Sequence, residues 1–374
     1  MASDRSSLSA ARRVVVKIGS RALSRDPSLP AQLVAQLAEA ARLRRPTAHS
    51  NGEATRRFVL VSSGAIALGC ERLGYARRPH EMSKLQAAAA VGQTVLMRRY
   101  EDACSAHGLI PAQVLLTHAD LADRERLNNA RNALAELLDA GALPIVNEND
   151  TVSTDEIKFG DNDQLAAMVV PLVAAEALIL LTDVEGVLDD HGDRLSELDA
   201  GLVVTDRGAS SGVGSGGILS KVDSARKASR SGAWVVIASA SEPRVLSRLL
   251  AGEDVGTLVH PVEGVLRARQ HWIAYTLKPR GTVVVDAGAA QAISGGKSSL
   301  LLVGVVGIRG NFNAGDSVTV VDAQGLELAR GLTRMGALDV ARGAGCKGAQ
   351  LEMLFGSGGR DLVVLHRDDL VLAR

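Results

Sequence analysis

LPIVNENDTVSTDEIKFGDNDQLAAMVVPLVAAEALILLTD, residues 143–183, contains a strand, a charged segment, a helix and a second strand in succession. The apolar run Leu143 to Val146 reads as a buried strand, and ALILLTD (177–183) reads as another. Between them, Glu148 to Asp163 carries six carboxylates, two Asn and one lysine, Lys158. The apolar run from Leu165 to Leu181 is interrupted by Pro171 and Glu176 and is marginal in length for a bilayer. It is read as a helix that feeds a strand. Two strands joined through a helix point to parallel pairing, because antiparallel neighbours need only a tight turn.

The same rhythm extends outward in both directions. Strand-like runs VVVKIGS (14–20), FVLVSSG (58–64), LIPAQVLL (109–116), ALPIVNEN (142–149) and AWVVIAS (233–239) alternate with helical stretches at 31–44, 84–108 and 123–141. This predicts an α/β fold with a mainly parallel sheet sandwiched by helices. After TLKPRGT (276–282) the pattern changes to short strands and Gly-rich turns, which predicts a small, mainly β domain. The expected domains are 1–275 and 280–374.

Composition narrows the function classes. The chain has 374 residues, enough for two cores, with 46% apolar and 22% charged residues. Lys plus Arg equals Asp plus Glu, 42 against 42, so no whole-molecule field draws nucleic acid or anionic lipid. Cys70, Cys104 and Cys346 form no C-x-x-C pair, and the N-terminal MASDRSSLSAARR lacks the apolar core of a signal peptide. A cytoplasmic location with no membrane association is expected. Residues 42–58 hold five arginines and one glutamate, and are read as a solvated loop rather than a nucleic-acid patch.

Ligands of open parallel sheets bind outside the carboxyl ends of the strands. In this chain those ends carry Lys17-Ile18-Gly19-Ser20, Ser62-Ser63-Gly64, the acidic and amide segment, Thr182-Asp183, and farther on SSGVGSGGILSK (210–221). The last is Gly-rich and opens a helix, a pattern suited to anions. Neither G-x-x-x-x-G-K-[ST] nor G-x-G-x-x-G is present at the required place, which disfavours a P-loop or dinucleotide site. Lys17 directly follows an apolar run, where a lysine is costly unless anions surround it. Asn147, Asn149, Asn162 and Gln164 add amides to the carboxylates, and together they suit a small zwitterion. A polar hairpin, 151–160, covering the sheet edge is the structural alternative. Both readings are retained, with Asp150, Asn162 and Asp163 inside the site and Asp155 and Glu156 solvated. No His pair, Ser-His-Asp set or Cys cluster offers a competing chemistry, and no protein metal site is expected.

The runs VVVKIGS, VLVSSGAIALG, MSKLQAAAAVGQ, LLTHADLADRERLNNARNAL, NENDTVSTDEIKFGDNDQLAA, LILLTDVEGV and GVGSGGILSK resemble the amino acid kinase family, in order and over nearly the whole chain. The NEND…KFGDND and DRERLNNARN segments resemble its glutamate-phosphorylating branch. That resemblance implies ATP-dependent phosphorylation of the γ-carboxylate of L-glutamate, with Mg²⁺, as the first step of proline biosynthesis. It assigns Lys17 and Lys221 to phosphate stabilisation, Asp163 to their orientation, and Ser63, Asp150 and Asn162 to glutamate. Lys17, Gly19, Thr182, Asp183, Ser215, Gly216, Gly217, Ile218, Leu219, Ser220 and Lys221 are assigned to the nucleotide. Inhibition by proline, a homo-oligomer and a partnership with glutamyl phosphate reductase are also implied.

From about Arg280 the tail resembles the PUA domain of RNA-modifying enzymes. Residues 280–374 nevertheless hold ten Lys or Arg against nine Asp or Glu, with only Phe312 and Phe355 as aromatics, so RNA is not an expected partner. Two segments depart from the family pattern: 42–57 is long, and 184–205 is short and lacks an Asp-Pro element. The alternatives are a kinase of the same fold for another acid, an RNA-binding protein and a catalytically silent sensor.

Overall fold

The computed structural model describes residues 5–42, 44–47, 50–153, 162–198, 217–262, 265–296, 298–356 and 362–373, with backbone only for 44–47 and 50–54. The chain divides into two compact units, Met1–Val265 and Leu266–Arg374.

The first unit is built on an eight-stranded sheet. Its strands in chain order are β1 (Arg13–Ile18), β4 (Arg57–Ser62), β5 (Pro111–Leu116), β6 (Leu143–Glu148), β7 (Ala177–Thr182), β8 (Glu197–Leu198), β9 (Trp234–Ser239) and β10 (Thr257–Val259), while β2 (Arg44–Thr47) and β3 (Ser50–Thr55) form a separate pair. The order across the sheet is β5-β6-β4-β1-β7-β9-β10-β8, parallel throughout except where β10 meets β9. The expected parallel α/β architecture is therefore present. β7 is buried at all six positions and β1 at five of six, as expected for strands covered on both faces.

The order of the strands locates the ligand crevice. From β1 the chain moves to β4 on one side, and from β7 it moves to β9 on the other. Adjacent strands whose connections leave in opposite directions form a switch point, where a crevice opens at their carboxyl ends. Lys17 pairs in register with Val61 and Leu180, so it sits at that point in the middle of the sheet.

Two helices that follow β4 pack unusually closely. A Cβ on Gly69, in the helix Ala65–Arg72, would lie 1.7 Å from the Ala88 carbonyl oxygen, and one on Gly92 would lie 1.7 Å from that of Ala65. The helix Met82–Ser105 therefore touches its neighbour backbone to backbone. Gly64 begins the shorter helix at φ 102°, a left-handed conformation that favours glycine.

The 42–58 segment corrects one expectation. Instead of a loop it contains the antiparallel pair β2 and β3, whose period-2 signal is hidden by Pro46 and by polar residues on both faces. Arg56, within the segment expected to be solvated, is buried, and so is Arg5. Arg5 donates to the carbonyls of Ser196 at 2.7 Å and Val255 at 2.9 Å, and its guanidinium lies 2.9 Å from Asp254. Arg56 donates to the Ala11 and Ser9 carbonyls, each at 2.7 Å. They staple the N-terminal segment to the unit through long-range contacts that no local pattern encodes.

The second unit has a six-stranded, mostly antiparallel sheet. Its strands are β11 (Gly281–Val285), β12 (Leu300–Leu301), β13 (Val305–Gly310), β14 (Ser317–Val321), β15 (Glu327–Thr333) and β16 (Val363–Leu372), in the order β12-β16-β15-β14-β11-β13. Among the described strands of this sheet, only β11 and β14 pair in parallel. Val283, Val285, Leu302, Phe312, Val318, Val320, Val364 and Leu365 fill its core. Short helices at Ala287–Ser294, Ala337–Gly343 and Ala349–Phe355 interrupt the strands. The helix Ala268–Tyr275 groups with this unit, where Arg269 pairs with Asp369 at 2.7 Å and Arg330 reaches the Ala274 carbonyl. The structural division thus falls ten residues before the expected end of the first domain.

Candidate active site

Lys17 arrives at the switch point because β1 carries it there. Asp163 arrives from the opposite side, in the first turn of the helix Asn162–Leu172, and Lys221 in the first turn of the helix Ile218–Ser229. Lys17 Nζ lies 2.5 Å from Asp163 Oδ1, and Lys221 Nζ donates to Asp163 Oδ2 at 2.9 Å. Relative exposures of 5%, 1% and 8% for Lys17, Asp163 and Lys221 make this a buried cluster. Burial alone would raise the Asp163 carboxyl. The charges of Lys17 and Lys221 and their hydrogen bonds outweigh it and hold the carboxyl below the usual carboxylate range. Two buried ammonium groups thus flank one carboxylate, a concentration of positive charge suited to an anionic ligand.

The two helices are held in register by a closed polar ring. Gln164 donates to Asp223 at 2.9 Å, Lys227 donates to Gln164 at 2.9 Å, and Lys227 pairs with Asp223 at 2.7 Å. Gly217 caps the second helix, and no described atom would lie within 4 Å of a Cβ there. Gly217, Ile218, Leu219 and Ser220 form the start of that helix beside Lys221, where backbone N–H groups suit an anion. Ser215 and Gly216 lie outside the described residues. Gly19 caps a short helix after β1, and its Cβ position would be 3.8 Å from Lys17 Nζ, so the ammonium folds back over it.

On the other side of β1, amides replace charges. Asn162 Nδ2 reaches the Ser62 carbonyl at 3.1 Å, Ser63 Oγ at 2.7 Å and Asn147 Oδ1 at 3.0 Å. Asn147 Nδ2 donates in turn to Gln93 Oε1 at 2.9 Å. Asp150 is half-buried, and its carboxyl is pushed up to about 7, first by burial and then by repulsion from Glu148, with Arg78 pulling the other way. At the end of β7, Thr182 donates to Asp183 at 3.1 Å, and Arg21 lies 3.4 Å from Asp183 across the crevice. Burial raises the Asp183 carboxyl, but its own backbone N–H, the Thr182 hydroxyl and Arg21 together hold it low.

The density of acids after β6 is thus divided. Asp163 is neutralised by two lysines, while Glu148 accepts from Ser153 Oγ at 3.0 Å. Asp155, Glu156, Lys158 and most of the expected 151–160 hairpin lie outside the described residues. Gln93, Arg78, Arg21 and Tyr100, whose hydroxyl lies 2.8 Å from Ser62 Oγ, were not singled out from sequence. Gln93 and Tyr100 lie seven residues apart on one face of a long helix, and a polar pair at that spacing on a half-buried helix was the available signal.

Comparison with known proteins settles the family. The family model described as "Amino acid kinase family" matches residues 12–239. The chain belongs to the amino acid kinase family. The PUA domain model matches residues 281–354, within the second unit. The chain is 46% identical over 373 residues to the glutamate 5-kinase of Cupriavidus taiwanensis, covering 97% of this chain and 98% of that protein. It is 46% identical over 383 residues to the glutamate 5-kinase of Myxococcus xanthus, with 98% of each covered. For the glutamate 5-kinase of Pseudomonas putida the identity is 44%, over 98% of this chain and all of that one. Among solved structures, N-acetylglutamate synthase from Neisseria gonorrhoeae, complexed with coenzyme A and L-arginine, superposes with a TM-score of 0.50. It is 17% identical and covers 78% of this chain and 68% of that one, a likeness of fold. No described helix of this amino acid kinase is long and apolar enough to cross a membrane.

Proposed function

We propose that the protein transfers the terminal phosphoryl group of ATP to the γ-carboxylate of L-glutamate, forming L-glutamyl 5-phosphate for proline biosynthesis. The observation that carries this reading is the buried Lys17-Asp163-Lys221 cluster, with two cations and one anion at the switch point of the sheet. The full-length similarity to glutamate 5-kinases supports the choice of acceptor.

A side-chain carboxylate of unperturbed pKa roughly 4.3 is ionised at neutral pH, so it needs no general base. Its difficulty is that one anion attacks another. The two ammonium groups neutralise charge on the transferred phosphoryl oxygens, and Asp163 keeps both aimed at one point. Ser63, Asn162 and Asp150 hold the glutamate. Thr182, Asp183 and the loop ending at Lys221 hold the nucleotide. Both oxygens of Asp163 face lysines, so this carboxylate is not placed as a metal ligand. We assign Mg²⁺ to the nucleotide, whose phosphates and waters satisfy it and whose charge it screens.

Proline shares the α-carboxylate and amine of glutamate, and the reading places its inhibition in the glutamate pocket. A cytoplasmic homo-oligomer that hands a labile acyl phosphate to glutamyl phosphate reductase completes the proposal. The test is hydroxylamine trapping with Mg-ATP and L-glutamate, L-aspartate or N-acetyl-L-glutamate, each with and without proline. A hydroxamate from glutamate alone, suppressed by proline, supports the reading, while product only from another acid overturns the acceptor assignment.

A further inference from the structure

The amide cluster beside β1 has a polarity set by the backbone. The Glu148 N–H donates to Asn147 Oδ1 at 2.9 Å, which orients the Asn147 side chain. Its Nδ2 must then donate, so the Gln93 atom 2.9 Å away is the acceptor Oε1. On the other flank the Ser62 carbonyl can only accept, which makes the Asn162 atom facing it Nδ2. Two atoms remain at the ends of this chain, Gln93 Nε2 and Asn162 Oδ1. Both are buried and neither has a partner among the described residues. One is a donor and the other an acceptor, and they flank the same asparagine. A buried polar group without a partner is costly, so a pair left open in this way suits a ligand that offers one acceptor and one donor, as the carboxylate and ammonium of an amino acid do.

We propose that Gln93 is a specificity-determining residue for the acceptor, its Nε2 donating to the α-carboxylate of the amino acid while Asn162 Oδ1 accepts from the α-ammonium. This rests on the glutamate reading above and adds a residue that reads the head of the substrate. Gln93 is suited to the task because the helix Met82–Ser105 carrying it is locked at Gly92 against the neighbouring helix, so the amide is held by rigid backbone.

The test compares L-glutamate with 4-aminobutanoate, which keeps the ammonium and the reacting carboxylate but lacks the α-carboxylate. Calorimetry measures the affinity of each for the wild type and for Gln93→Glu. That variant still accepts from Asn147 but puts an anion where the α-carboxylate binds. The expected result is a loss of about 100-fold in glutamate affinity with little change for 4-aminobutanoate, so that the preference for glutamate collapses. If the variant does not fold, Gln93→Met, which removes the donor without adding charge, is expected to lose about 10-fold on glutamate alone. Equal losses for both ligands, or glutamate affinity within about twofold of the wild type, would overturn the proposal and leave Gln93 a structural role. The hydroxamate assay on the wild type separates the two readings: product from glutamate with an unchanged ligand preference defeats only the role of Gln93, and no product from glutamate defeats the reading beneath it.

Discussion

Lys221 and Asp163 are 58 residues apart in the chain, yet their side chains meet at 2.9 Å in a buried site, because two helix N-termini converge on the same strand end. Asp163 also faces Lys17, so each substitution in the cluster has a distinct expected signature. Lys221→Ala leaves the Lys17-Asp163 pair intact, and the fold should survive while turnover falls about 10²- to 10³-fold. Asp163→Asn leaves two ammonium groups without their shared anion, which should cost about 3–5 kcal/mol of stability as well as activity. Denaturant titration beside single-turnover kinetics distinguishes the two.

The same carboxylate gives an acid limit to stability. Asp163 is held below its ordinary value of 3.8, so its contribution is complete above that value and is lost as pH falls through the lower folded value. Melting temperatures measured from pH 6 down to pH 3 should fall more steeply for the wild type than for Asp163→Asn. Parallel curves would show that the cluster does not govern acid unfolding.

Asp150 has the opposite sign. Its carboxyl is raised from 3.8 to about 7, so whatever the neutral form contributes to stability is full below 3.8 and lost as pH rises through about 7. The ionised form is the one that attracts an ammonium group. The KM for glutamate should therefore rise about 10-fold between pH 8 and pH 6 as Asp150 takes up a proton. Asp150→Asn should have a higher KM that is flat over this range, and a wild-type profile that is itself flat would remove Asp150 from the ammonium site.

Helix packing beneath the site gives a fourth expectation. Gly69→Ala or Gly92→Ala places a methyl group 1.7 Å from a backbone carbonyl oxygen, which no side-chain rotation relieves. Each should destabilise the first unit by about 3 kcal/mol, at the upper end of the usual overpacking cost. Chemical denaturation reads this directly, and a change under about 0.5 kcal/mol would mean that the helices part easily.

A fifth concerns the N-terminal staple. Arg5→Met removes the donor to the Ser196 and Val255 carbonyls, while Asp254 keeps its Arg194 and Ser196 partners and is still held low, chiefly by the Arg194 hydrogen bond. A loss of about 3 kcal/mol is expected from the unsatisfied buried carbonyls, measurable by thermal or denaturant unfolding.

The alternation of apolar runs and helical stretches determined the parallel α/β layer, because covered parallel strands require continuous hydrophobicity and each crossover requires a helix. Lys17 was identifiable for the same reason: an ionised residue at the end of an apolar run is costly without an anion, and that cost can be read locally. The antiparallel pair β2 and β3 and the helices of the second unit escaped such reading, since polar composition in the one and short length in the others leave no period to detect. Which acids meet which cations could not be read at all. Glu148, Asp150 and Asp163 belong to one run, yet only Asp163 lies between two lysines, and Asp150 has like charge beside it. That division depends on where the β1/β7 crevice lies and on how closely Gly69 and Gly92 let two helices approach. Both arise from contacts across many tens of residues, and electrostatic energy depends on distance in space and on exclusion of water, neither of which order along the chain specifies.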